Sequence, residues 1–208
     1  SIPGQTSSFN VIYGPARFLA RGLLKAVPGS PSALFDMVPV DYVADAITSL
    51  SKMEIPNGSC YHLCAGLGGE ATLVELLEYL FISINKTVSR NFVPPPFLTP
   101  ELIALVQQSI TVALEGMRSL EKFLGSRLEV LQKIIPYFLY MIRNPRFDIS
   151  KTIHTLNGTM APPPAFQSYA EKLFDYCQDT NWGKLPWTNP DNVKPWFQRT
   201  NFKHCYND

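Results

Sequence analysis

Three groups of residues have types and spacings that bear on chemistry. Cys60, His62 and Cys64 alternate within Ser59–Gly66. On a strand they would project to one face, giving a thiolate, imidazole, thiolate set of the kind zinc uses. A fourth ligand would have to come from His154, His204, Cys177 or Cys205, and CxxC spacing is missing. The expectation is therefore no metal, and buried cysteines beside a satisfied histidine. Glu75 and Glu78 lie on a helix exterior and read as a solvated face. Asp41 has the chemistry of a general base, but a helical pattern begins directly after it, which fits an N-cap better. Gly66, Gly68 and Gly69 do not form GxGxxG, and the sequence has no GxSxG, HExxH or Walker loop. No reaction centre follows from these residues alone.

The elements that must hold such residues are organised around a corner at 35–47. The apolar run Phe35, Met37, Val38 reads as a strand that stops at Pro39, which has no N–H for a ladder. A helix over about 41–52 follows, with Val43, Ala46, Ile47 and Leu50 on one face. Upstream, Gly14-Pro15 starts a helix with Phe18, Leu19 and Leu23 on its apolar side, ended by Pro28-Gly29. Ser59–Gly66 has the length of a strand. Thr72 and Glu75 have the capping-box form, and the helix they open carries Leu73, Leu76, Leu77, Leu80 and Ile84 inward to about Asn85.

Residues 86–93 alternate weakly, as a short strand would, and Pro94-Pro95-Pro96 is a stiff connector. A long helical stretch from 100 to about 135 is apolar all round, which fits burial, a greasy pocket or a partner. A short helix ends near Leu156 at Asn157-Gly158, and a last amphipathic helix covers about 165–179, with Phe166, Tyr169, Leu173, Tyr176 and Cys177 on one side. All three tryptophans fall in 181–208. The residues by themselves describe an incomplete α/β unit with an apolar helical appendage.

The 208 residues are enough for one ordinary domain or two small ones. Charged residues make up 17% against 46% apolar, which suggests a surface covered by something else. A net charge of +1 gives no field for nucleic acid. Four cysteines at this length give no disulfide framework, so reduced thiols and a cytoplasmic protein are expected. The N-terminus lacks both an apolar leader and an initiator Met, and reads as a cut or an internal start. No run approaches ~18 apolar residues. The longest, Ile134 to Ile142 between Lys133 and Arg143, is expected to be buried, with a peripheral membrane contact as the weaker expectation.

Phe35-Asp36-Met37-Val38-Pro39-Val40-Asp41-Tyr42-Val43-Ala44-Asp45-Ala46 resembles the D-x-V-P-V-D-x-V-A-x-A segment of extended short-chain dehydrogenases/reductases. It looks closest to the thioester reductase and fatty acyl-CoA reductase branch. Ser1-Ile2, Tyr61-His62-Leu63 with Gly66, Thr72 to Leu77, Pro136-Tyr137-Phe138, Phe147-Asp148, Tyr169 and Asn181-Trp182-Gly183 agree in order with that family. The resemblance covers about residues 1–184.

The resemblance implies the C-terminal part of a Rossmann-type extended reductase, α/β in class, with a mainly helical substrate-binding subdomain. Residues 1–93 would end the Rossmann-like domain, 94–184 would form the helical substrate-binding region, and 185–208 would be an aromatic-proline tail. The cofactor would be NADP or NAD, held mainly by a missing N-terminal Rossmann half, with Ser1 and Ile2 near the nicotinamide. Phe9, Asn10 and Tyr13 would border an acyl thioester or another apolar small substrate. The family's glycine-rich turn and Tyr-x-x-x-Lys pair are not in this sequence, because no lysine here has tyrosine four residues before it. No catalytic residue is therefore assigned. The alternative reading is a non-catalytic acyl-binding or protein-docking module.

Overall fold

The computed structural model describes residues 4–24, 26, 27, 29–88, 91–98 and 146–185. The chain forms α1 (Tyr13–Ala20), β1 (Leu34–Phe35), α2 (Val40–Ser51), β2 (Ala71–Thr72), α3 (Leu73–Val88), α4 (Ser150–Leu156), a 3-10 turn (Phe166–Ser168) and α5 (Ala170–Asp179). The long apolar helix expected over 100–135, the run at 134–142, and the tail beyond Leu185 lie outside the described residues.

The central element is α3. Its leucines recur at helical spacing, and Leu73, Leu76, Leu77, Leu80, Phe81 and Ile84 are all buried. They pack with Ala16, Leu19 and Ala20 of α1 and with Phe166, Ala170, Phe174 and Cys177 in and beside α5. The start of α3 leaves few backbone donors unpaired. The Thr72 N–H donates to Glu75 Oε2 (2.8 Å), and the Glu75 N–H donates to Thr72 Oγ1 (3.2 Å), which is the capping box expected from sequence. The Leu73 and Val74 N–H groups donate to the carbonyls of Ala33 and Pro31. The second Glu75 oxygen accepts from Gln167 Nε2 (2.9 Å), so the cap also holds the turn before α5. At the far end Asn85 pairs with both backbone groups of Phe92, and Lys86 is clasped by Glu171 and Asp175 of α5.

Several expectations are corrected. Ser59–Gly66 is not a strand, because its backbone polar groups are engaged by side chains instead of a ladder. The Ala65 and Gly66 N–H groups go to the Asp36 carboxylate (2.6 and 3.2 Å), and the His62 carbonyl accepts from Thr152 Oγ1 (2.8 Å). The strand expected over 86–93 is not found among its described residues: α3 runs on to Val88, and 91–93 are irregular. The strand at the opening corner shrinks to Leu34–Phe35, paired antiparallel with Ala71–Thr72. Asp41 is not the N-cap. Pro39 holds that position with extended backbone, and Asp41 lies inside the first turn, where its charge still favours the helix dipole.

The buried residues of α2 are Tyr42 and Ala46, whereas Ile47 is 55% exposed. The first helix stops at Ala20, well before Pro28-Gly29, so Leu23 is exposed. Its end is set by Gly22 at φ +64°, with Gly22 N–H bonded to Leu19 O and Leu23 N–H to Phe18 O. These are the two bonds of a Schellman motif. The triple-proline connector is pinned by a parallel bridge, with Val27 N–H bonded to Pro96 O and Leu98 N–H to Val27 O. Among the described residues no helix is long and apolar enough to cross a membrane.

Two substitutions separate the cap from the core. Thr72→Ala removes the reciprocal cap and is expected to cost about 1 kcal/mol. Leu80→Ala at a fully buried site is expected to cost about 2–5 kcal/mol. Urea unfolding with an unchanged slope checks both. A Thr72→Ala loss as large as that of Leu80→Ala would contradict the local role given to the cap.

Candidate functional site

The sequence-predicted residues divide at once. Ser1 and Ile2 lie outside the described residues. Phe9, Asn10 and Tyr13 sit together at the entry to α1. The rings of Phe9 and Tyr13 meet edge to face with centroids 5.5 Å apart. Asn10 donates through Nδ2 to Ser8 Oγ (2.6 Å), and its carbonyl accepts from the Tyr13 N–H (3.1 Å). Between them Val11 is held at φ +50°, an uncommon conformation for a β-branched residue.

A second strained segment meets this one. After α5 the residues Asn181, Trp182 and Gly183 all have positive φ, at +47°, +59° and +76°. The Asn181 N–H goes to Gln178 O, and the Trp182 N–H goes to Cys177 O (2.7 Å), a second Schellman end with asparagine in place of glycine. Trp182 is buried beneath. Gly183 has no room for a side chain, because a Cβ there would strike the Phe9 ring. Arg21 Nη2 donates to Asn181 Oδ1 (3.0 Å). The C-terminal ends of α1 and α5 are thus tied to each other, and Phe9 lies over the junction.

The surrounding polar groups are held in their protonated forms. Burial raises the Tyr13 hydroxyl above its ordinary value, and its bond to Thr6 offsets only part of this. Tyr169 is pushed up more strongly, again mainly by burial, and its hydroxyl donates to the Met37 carbonyl (2.9 Å). The Cys64 thiol is pushed up to about 11 by burial and by the Asp36 carboxylate beside it. Cys177 is raised by burial alone. Neutral tyrosines and thiols can donate hydrogen bonds and line an apolar site. A thiol this far from ionisation is a poor nucleophile at neutral pH.

The Cys60, His62, Cys64 set is not gathered for a metal. Cys60 and His62 are exposed and Cys64 is half-buried, which differs from the expected buried cysteines. His62 is satisfied through Nδ1, 3.0 Å from the Asp148 carbonyl, and its ring meets Phe147. Among the described residues no three His, Cys, Asp or Glu side chains come together as a metal would need.

Sequence reasoning did not place Asp36, Arg21 or Trp182 near this site. The Asn-Trp-Gly triplet carried a usable signal: an asparagine and a glycine flank a helix end, where left-handed backbone is common. Asp36 offered none, because its partners Ala65 and Gly66 are backbone groups about thirty residues away.

Comparison with protein-family models finds no match, and comparison with curated proteins finds none either.

The thiol environments have a direct consequence. With iodoacetamide at pH 8 followed by peptide mapping, Cys60 is expected to be alkylated at least about tenfold faster than Cys64 or Cys177. Equal rates would contradict the protection described. The tyrosine hydroxyls and cysteine thiols whose values are raised in the fold bind their protons more tightly than in the unfolded chain. Their contribution is therefore complete below about pH 8.5 and is lost as pH rises through the folded value. Glu75 behaves in the opposite sense. Its carboxyl is held low by its bonds to Thr72, so its contribution is lost as pH falls below the usual carboxylate range. Melting temperature is expected to be flat between about pH 5 and 8.5 and to fall on both sides. A rise between pH 9 and 11 would refute the assignment.

Proposed function

We propose that this chain is the substrate-binding C-terminal portion of an NAD(P)H-dependent reductase of the extended short-chain type, acting on acyl thioesters or aldehydes. The reading is supported most by one observation: stretches that resemble the family, and lie far apart in sequence, converge. Phe9 at the entry to α1 packs on Gly183 after α5. Tyr169 bonds to Met37 within the Pro-Val-Asp segment, and Asp36 of that segment bonds to the turn after Tyr61-His62-Leu63.

In this reading Phe9 and Tyr13 present ring surface to an acyl group and Asn10 presents its amide. The proton donor, the dinucleotide turn and most contacts to NADP or NAD are supplied by a Rossmann half upstream of these residues, with Ser1 and Ile2 beside the nicotinamide. Residues 1–93 complete that Rossmann-like domain, 94–184 form the helical substrate region, and the protein works in the cytoplasm, with peripheral membrane contact as an accessory property. Each methylene buried along an apolar lining contributes about 0.8 kcal/mol, enough to select chain length without charge. Among the described residues the buried tyrosines and thiols favour binding over proton transfer. This also accommodates a non-catalytic acyl-binding or protein-docking module.

The test is NADPH oxidation with acyl-CoA, measured with this chain alone and with the chain joined to its upstream coding segment. Only the joined form is expected to turn over. Turnover by the isolated chain would overturn the incomplete-enzyme reading, and lipid retained by the isolated chain with no gain on joining would favour the binding module. In the joined form Tyr13→Phe keeps the ring surface and is expected to leave kcat/KM for acyl-CoA within about twofold, while loss of the hydroxyl's bond to Thr6 lowers stability by at most about 1 kcal/mol; a tenfold fall in kcat/KM would contradict the role given to the ring.

A further inference from the structure

Two segments far apart in sequence approach so closely at Phe9 that the residue at 183 decides where the ring sits. A Cβ at Gly183 would overlap Cε2 of the Phe9 ring and lie 2.6 Å from its Cδ2. Carbon atoms in favourable contact stand at least about 3.5 Å apart. Any side chain at 183 therefore demands a displacement of about 1 Å.

Both backbones resist it. After α5, the Gly183 N–H donates to Thr180 Oγ1 (3.3 Å), Thr180 Oγ1 donates to Tyr176 O (2.8 Å), and the Leu185 N–H donates to Thr180 O (2.9 Å). Trp182, one residue earlier, is buried and bonded to Cys177 O. On the N-terminal side, Gly4 lies against the Lys172 carbonyl with no space for a Cβ. Thr6 Oγ1 donates to Ser8 O (3.0 Å), and the Tyr13 N–H bonded to Asn10 O closes the turn after Phe9. The Phe9 segment is thus held on both sides of the ring.

What yields is the ring itself, by rotation about its side-chain torsions. Tyr13 bounds it edge to face, and Gly183 bounds it on a second side. The ring is only half-buried, so it gives way toward its open side.

We infer that Gly183 is a positioning residue for Phe9 and, through it, sets the length of the apolar group that the site accepts. The length selection rests on the reading of Phe9 as a residue that borders substrate; the seating of the ring on Gly183 does not. With glycine at 183 the ring lies back against the end of α5. A methyl group there moves the ring outward, into space that the ligand would fill, and shortens the apolar lining by about one methylene.

Gly183 has φ +76°, so alanine at this position also strains the backbone. Gly158 supplies the control, with φ +78° and nothing within 4 Å of where its Cβ would stand. The test is calorimetric titration of the joined form with octanoyl-CoA and palmitoyl-CoA. Gly183→Ala is expected to lower the palmitoyl-to-octanoyl affinity ratio by about fourfold, the worth of one methylene no longer buried. Gly158→Ala is expected to leave the ratio unchanged. Adding Phe9→Ala to Gly183→Ala removes the overlap and is expected to return the ratio to its original value or above. Phe9→Ala alone places no new atom at 183 and is expected to raise the ratio, which decides the matter should Gly183→Ala fail to fold. An unchanged ratio in Gly183→Ala, an equal fall in Gly158→Ala, or no recovery in the double variant would overturn the inference. A shifted and rescued ratio without NADPH oxidation would sink the reductase reading and leave this one standing. Turnover with a ratio indifferent to both positions would do the reverse, and binding of neither thioester would overturn both.

Discussion

Burial of one face of α3 sets where the other helices lie. Leu76, Leu77, Leu80 and Ile84 are each 4% exposed or less. Fully burying a leucine or isoleucine contributes roughly 1.5–3 kcal/mol, so this stripe outweighs any single polar contact in the molecule. It has to be covered from two sides. α1 covers it with its small face of Ala16, Leu19 and Ala20, and α5 covers it with Phe174 and Cys177. Once both helices lie against α3, their C-terminal ends have to lie near each other.

Those ends are where the polar structure becomes specific. Each terminates in a left-handed residue and Schellman bonds, one with Gly22 and the other with Asn181. Gly22 adopts that conformation freely. Asn181 adopts it with little penalty, whereas Trp182 does not, and a bulky residue held there costs on the order of 1–3 kcal/mol. The Arg21–Asn181 bond and the seating of Phe9 on Gly183 are among the contacts that hold them. Strain at Val11 on one side and at Trp182 on the other places the Phe9 ring between two segments with little freedom to relax.

The corner at residues 35–47 serves this arrangement as scaffold. Pro39 starts α2, Asp36 gathers the amides of Ala65 and Gly66, and the Met37 carbonyl receives Tyr169. Asp41 does not hold the capping position that the sequence suggested for it. Asp36 works through backbone hydrogen bonds across the fold. Asp41 sits one residue inside the helix, because proline takes the capping position without a side-chain bond.

Short-range patterns in the chain specify local features. The capping box at Thr72 and Glu75, the inward leucines of α3 and the short helix ending at Leu156 were legible, because each is written within one or two helical turns; the buried side of α5 was legible only in part, with Phe166, Tyr176 and Cys177 buried as expected but Phe174 buried in place of Leu173. Even there boundaries failed where a glycine cut a helix early, as at Gly22. Long-range packing fixed the rest. The apparent strand at 59–66 gave way because Asp36 and Thr152, distant in sequence, took over its backbone groups. Phe9 and Gly183 meet, and Arg21 reaches Asn181 across a separation of 160 residues, only because the apolar face of α3 draws two helices together. Periodicity specifies which face is apolar. Which residues a buried face brings side by side depends on every other face competing to cover it, and no local pattern carries that information.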